Sequence, residues 1–150
     1  MRRVTKWGAL IAIGLATVTA APPAASAGGK SRIDWVRVDV PASEDGPRVQ
    51  KLLKQALGQA AKKANFGKAR AVSLSARVVE LVTEERGDVL HITCTVMGRV
   101  VGGAGARSRI SYGGSPDKRE ELEKEVLTQA ANGLVARLAQ IVRTQSPKVR

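Results

Sequence analysis

Residues 71–100 read AVSLSARVVELVTEERGDVLHITCTVMGRV, and the fold turns on how this stretch is read. In its first half, Val72, Leu74, Ala76, Val78 and Val82 alternate with Ser73, Ser75 and Arg77. In its second half, Leu90, Ile92, Cys94, Val96 and Val100 share one parity, while His91, Thr93 and Thr95 take the other. Successive side chains of a strand point to opposite faces, so each half is predicted to be a strand with a single apolar face. Glu85-Arg86-Gly87-Asp88 supplies the turn between them, which makes the pair a long antiparallel hairpin. A hairpin with one apolar face needs a cover, and the flanking sequence provides two.

On the N-terminal side, Val49, Leu52, Leu53, Ala56, Leu57, Ala60, Ala61 and Ala64 recur at i, i+3, i+4, i+7. This is the spacing of one buried helix face, and it predicts a helix from Pro47 to about Ala64, stopped by Asn65 and Gly67. On the C-terminal side, Val126, Ala130, Leu134, Leu138, Ile141 and Val142 form the apolar stripe of a second helix ended by Pro147. Ser115, Pro116 and Asp117 announce it, with Asp117 and Glu120 at capping-box spacing. Ile33 to Val40 (IDWVRVDV) is rich in strand formers and ends at Pro41, so it is the first strand. Gly102, Gly103 and Gly105 make a second bend, after which residues 106–112 are a candidate fourth strand. The expected fold is α+β, in the order β-α-β-β-(β)-α. It is an antiparallel sheet of three or four strands with both helices packed on one face.

The chain around this domain carries an export pattern. Arg2, Arg3 and Lys6 precede an uncharged apolar run from Gly8 to Val18, then Pro22-Pro23 and Ala25-Ser26-Ala27. Charge, a short apolar run and an A-x-A site in that order mark a cleavable secretory signal over residues 1–27. The run is shorter than the roughly 20 residues that a spanning helix needs, so no transmembrane anchor is expected in the mature form. Residues 28–32 are expected to be a flexible tail, 33–145 one α+β domain, and 146–150 a basic C-terminal tail. The formal charge of +12 falls to +9 once the three signal-peptide charges are removed. Such a balance favours anionic partners without naming one.

No motif in the sequence marks catalysis, a metal or a cofactor. His91 is the only histidine and Cys94 the only cysteine, whereas a zinc site needs three or four ligands. Cys94 shares its face with Ile92 and Val96, so it is expected to be an inert core thiol. The acidic residues from Glu120 to Glu125 alternate with Lys118, Arg119 and Lys124, as a solvated helix start would. GGAGARSRISYGG at 102–114 matches neither phosphate-loop nor dinucleotide glycine spacing. Its Arg107 and Arg109, two apart on a strand, would point the same way and could grip one anionic group.

The strongest anomaly is a basic stretch. From Arg48 to Val79 there is no Asp or Glu. At about 100° per residue, Arg48, Lys51, Lys54, Lys62 and Lys63 fall on the helix face away from the apolar stripe. These five, with Arg107 and Arg109, are the candidate anion-binding surface. The helix-strand-strand-strand-helix order resembles double-stranded RNA-binding domains. Export opposes that reading, as does the scarcity of aromatic residues, because Trp35, Phe66 and Tyr112 are all that follow residue 27.

The long hairpin, followed by the closing stretch LTQAANGLVARLAQIV, resembles small bacterial envelope modules of the curli-secretion lipoprotein and TolB N-terminal-like kind. The resemblance covers most of residues 33–143 and is one of pattern, without a signature motif. It implies an α+β domain that binds envelope proteins or assembles with them, without catalysis. The lipid-anchoring cysteine of many such proteins is missing here, and no functional residue carries over. The sequence thus points to a non-enzymatic exported binding module, periplasmic or extracellular. Its expected partner is an envelope protein or an anionic envelope polymer. The alternatives are a small hydrolase without a visible motif and a basic nucleic-acid-binding domain. Mass spectrometry of the exported protein is expected to show Gly28 as its first residue; an intact Met1 on exported material would refute the signal-peptide reading.

Overall fold

The computed structural model describes residues 30–145. The expected signal segment 1–27 and the expected C-terminal tail 146–150 lie outside the described residues. The elements run β1 (Arg32–Asp39), α1 (Gly46–Lys63), β2 (Ala71–Arg86), β3 (Val89–Val100), β4 (Gly105–Gly114), a 3-10 turn (Pro116–Lys118) and α2 (Arg119–Gln145). The strands form one sheet in the order β1-β2-β3-β4. Of the tail expected over 28–32, Ser31 and Arg32 are tied down. The Ser31 hydroxyl donates to the Ala69 carbonyl at 2.5 Å, and Arg32 N donates to the Arg70 carbonyl at 2.8 Å.

The sheet is mixed, which corrects the antiparallel expectation. β2 pairs antiparallel with β3 and β3 with β4, but β1 pairs parallel with β2. The cause is the connection. Hairpins reverse the chain, whereas α1 carries it back across one face of the sheet, so β2 enters in the same direction as β1. The fourth strand is complete and longer than the stretch expected over 106–112, pairing with β3 from Leu90↔Gly114 to Arg99↔Gly105. Gly87, at φ +63°, lies in the two-residue turn between β2 and β3, where a left-handed backbone suits glycine.

Both helices cover the same face. Val72, Leu74, Ala76 and Val78 of β2 and Leu90, Ile92, Cys94 and Val96 of β3 are buried in one cluster with the apolar stripes of α1 and α2. α2 lies over β3 and β4, while α1 packs chiefly on α2 and touches β1 lightly. The α2 seat is tight. A Cβ on Gly98 would stand 3.0 Å from methyl carbons of both Leu134 and Leu138, and one on Gly133 would stand 2.7 Å from Ser108 Oγ.

Two local expectations fail for identifiable reasons. A β-bulge between Val78 and Glu80 shifts the register, so Leu81 opposes Cys94 and Val82 opposes Thr93. One extra residue exchanges the faces beyond it, leaving Val82, expected inside, 38% exposed. The Asp117–Glu120 capping box does not form. Pro116 opens a 3-10 turn in which Lys118 N bonds the Ser115 carbonyl at 3.0 Å, and no side chain caps it.

The seat of α2 gives a direct test. Gly98→Ala is expected to lose roughly 1–3 kcal/mol through overpacking, and Leu134→Ala about 2–5 kcal/mol through a cavity. The double variant should lose clearly less than the sum, because the added methyl fills space that the leucine vacates. Additive losses in urea melts would place the Gly98 strain elsewhere.

Candidate functional site

Among the described residues, the opposite face of the sheet carries no helix. Its cross-strand rows follow from the register. Arg37, Ser75 and Arg99 form one row; Asp39, Arg77, Met97 and Arg107 the next; Glu80, Thr95 and Arg109 a third. Further along come Val82, Thr93 and Ser111, then Glu84, His91 and Gly113. Adjacent strands lie about 4.8 Å apart, so arginines two strands away from each other, such as Arg37 and Arg99, are anchored roughly 10 Å apart.

This face is electrostatically divided. Toward the β2–β3 turn it is acidic and self-paired, with Arg86 Nη2 on Glu84 Oε2 at 2.8 Å. At the other end, Arg37 pairs with Asp39 at 2.5 Å. Arg77, Arg99, Arg107 and Arg109 are exposed, and among the described residues none of them forms an ion pair. Glu80, the carboxylate of the third row, accepts a bond from Thr95 Oγ1 at 3.2 Å. Ser75 sits low between Arg37 and Arg99, where a groove of about 410 Å³ is lined by Arg37, Asp39, Arg77, Met97 and Arg99. The arrangement is a basic trough with the Ser75 hydroxyl on its floor and three guanidinium groups on its walls, the Asp39 carboxylate being taken up by Arg37. It suits oxyanions, which arginine binds through paired N–H donors.

The sequence-derived candidates divide between the two faces of the molecule. Arg107 and Arg109 lie on the open sheet face together with Arg37, Arg77 and Arg99, which the sequence reading did not single out. Parity was the available signal: Arg77 falls on the polar side of its strand. Knowing that strands 60 residues apart in sequence share a row requires the register. Lys51, Lys54, Lys62 and Lys63 are exposed on α1, in the helix layer, and of these Lys54 lines a cavity at the β1 edge together with Arg37. Arg48 does not belong with them. Its Nη2 reaches both oxygens of Glu123 on α2, at 3.1 and 3.2 Å, and its Nε stands 3.9 Å from Asp45. Glu123 is only 5% exposed, so the expected solvated acidic helix start holds one buried carboxylate, and Arg48 serves to neutralise it.

Cys94 is fully buried, with α2 packed over its strand. Burial pushes its thiol up to about 12, with Glu123 and then Glu80 adding to the effect. His91 has Glu84 and Gly113 as its cross-strand neighbours.

Together the fold and this surface define a two-layer α+β module with a helix-covered face and a bare, basic one. No family model matches the sequence, and no curated protein matches it. Among solved structures, the chain is similar to a candidate lipoprotein of Caulobacter crescentus CB15, at 19% identity over 71% of this chain and 88% of that one, TM-score 0.42. It is similar also to a minor lipoprotein of Acinetobacter baumannii, at 12% identity over 75% and 94%, TM-score 0.43. A hypothetical protein of Chlamydia trachomatis aligns at 13% identity over 77% and 99%, TM-score 0.47. None of these likenesses is close enough to place the chain in a family or to lend it a function.

The thiol provides the check on this geometry. An uncharged disulfide reagent is expected to label Cys94 slowly in the native protein and fast in denaturant. Below about pH 9 the thiol is protonated whether the chain is folded or not. From there up to about 12 only the unfolded thiol ionises, so stability is expected to fall with rising pH across that window. Cys94→Ala should flatten part of that decline; an unchanged slope would mean that the thiol is not sealed.

Proposed function

We propose that this chain is a non-enzymatic, exported binding module of the bacterial envelope that holds an anionic polymer across the open face of its sheet. The observation that carries the reading is the row structure of that face. Four exposed guanidinium groups project from three adjacent strands with no carboxylate among the described residues paired to them, beside a groove that Ser75 and the Arg37–Asp39 pair line. Proteins normally intersperse charges of both signs on a surface, because like charges repel. An unbalanced array on a rigid sheet loses that balance in the free protein and regains it when an anionic chain lies across it.

Export rests on the segment 1–27, and either a periplasmic or an extracellular site is compatible with it. No helix among the described residues is long and apolar enough to cross a membrane. The lysines of α1 are a weaker docking surface than the sheet. They lie on the outer side of a single helix, and the array loses Arg48 to Glu123.

Two triple reversals separate the faces. Arg77→Glu/Arg99→Glu/Arg107→Glu is expected to weaken binding to polyphosphate and to dextran sulfate at least about tenfold. It should also flatten the fall of wild-type affinity with salt. Lys51→Glu/Lys54→Glu/Lys62→Glu should change either property little. Circular dichroism confirms that both variants fold. If the helix reversal abolishes binding and the sheet reversal does not, the docking face is α1. If neither matters, the charge is only solubilising. Binding that is strong for single-stranded nucleic acid and absent for both polymers would favour the nucleic-acid alternative.

A further inference from the structure

A second cavity lies on the helix side, remote from the trough. Because α1 leans on α2 and touches β1 only lightly, a groove of about 670 Å³ opens between α1 and the edge strand. Ligand sites commonly span roughly 300–1,000 Å³. The groove is walled by Ile33, Trp35, Ala61 and Phe66, with Lys30 and Lys62 among its lining residues and, among the described residues, no acidic one.

One feature of this groove has no explanation within the fold. Gly58 occupies the interior of α1, where glycine weakens a helix relative to alanine. At Gly98 and Gly133 a close neighbour explains the missing side chain, but a Cβ on Gly58 would meet nothing within 4 Å. What it leaves room for is the groove, which it lines. Trp35, on the opposite wall, contributes the apolar surface of its ring; its indole Nε1 is buried away from the groove, with no acceptor among the described residues.

We infer that the groove binds a single acyl chain ending in a carboxylate. The apolar walls and the space over Gly58 take the chain. Lys62, with Lys30, takes the negative head. A neutral apolar ligand would leave the ammonium groups without a counter-charge. A highly charged polymer would waste the apolar walls. This site is independent of the arginine trough: it lies on the other side of the sheet and takes a different ligand.

The full chain with Trp7→Phe has Trp35 as its only tryptophan, so its fluorescence reports on the groove directly. Titration with laurate below its micelle concentration is expected to shift Trp35 emission and to saturate at one laurate per chain. Gly58→Leu in the same background fills the groove from a position with free space, and should abolish the shift while leaving the circular dichroism spectrum unchanged. Lys62→Glu, an exposed change, should weaken laurate binding at least about tenfold, and dodecanol should bind the parent at least about tenfold more weakly than laurate. The inference is overturned if laurate gives no saturable shift. It is overturned equally if the shift survives Gly58→Leu, or if dodecanol and laurate bind alike. Should Gly58→Leu fail to fold, the Lys62→Glu and dodecanol arms decide.

Discussion

The close seat of α2 on the sheet is the constraint from which the remaining architecture follows. Gly98 lets Leu134 and Leu138 descend onto β3, and Gly133 brings the helix against Ser108 on β4. A helix held this low over β3 and β4 makes one face of the sheet the core, and it seals Cys94 there. It also leaves α1 to find its cover on the flank of α2 rather than flat on the strands. Two consequences of that arrangement underlie the proposed sites: among the described residues the far face of the sheet carries no helix, and a groove remains between α1 and β1.

Charge is distributed to suit this geometry. Among the described residues, the one ion pair with a deeply buried member, Arg48 with Glu123, joins α1 to α2 where the helices meet. A carboxylate buried without a cation would be costly, so Arg48 is best understood as what permits Glu123 to be inside. Elsewhere the pairing is local and solvated, as with Arg37 and Asp39 or Glu84 and Arg86, and such pairs contribute little to stability. Arg77, Arg99, Arg107 and Arg109 stand apart from both patterns, since among the described residues they neither neutralise a buried group nor pair on the surface.

Much of the fold was legible because periodicity is a local property. The alternation in residues 71–100 identified the hairpin, its core face up to Val78 and the burial of Cys94. The 3.6-residue spacing identified α1 within a residue or two. Reading failed where a single residue broke the period. The bulge after Val78 leaves no mark that alternation can detect, and it moved Leu81 to the covered face and Val82 to the open one. Helix-face arithmetic likewise sent Arg48 outward with the lysines, because it cannot see a second helix whose carboxylate lies within reach.

The sequence by itself determined which segments are helices and strands and which side of each is apolar, since these depend on neighbours a few residues apart. It also determined the excess of positive charge and the presence of Arg107 and Arg109 on one side of a strand. Only the tertiary structure decided that β1 runs parallel to β2, because strand direction depends on where the α1 crossover sends the chain. Only it decided that Arg37, Arg77 and Arg99 join the β4 arginines on one surface, because cross-strand register brings together residues dozens of positions apart. The space opposite Gly58 belongs to the same category: a glycine reads as a weak point in a helix until the packing shows what lies beside it.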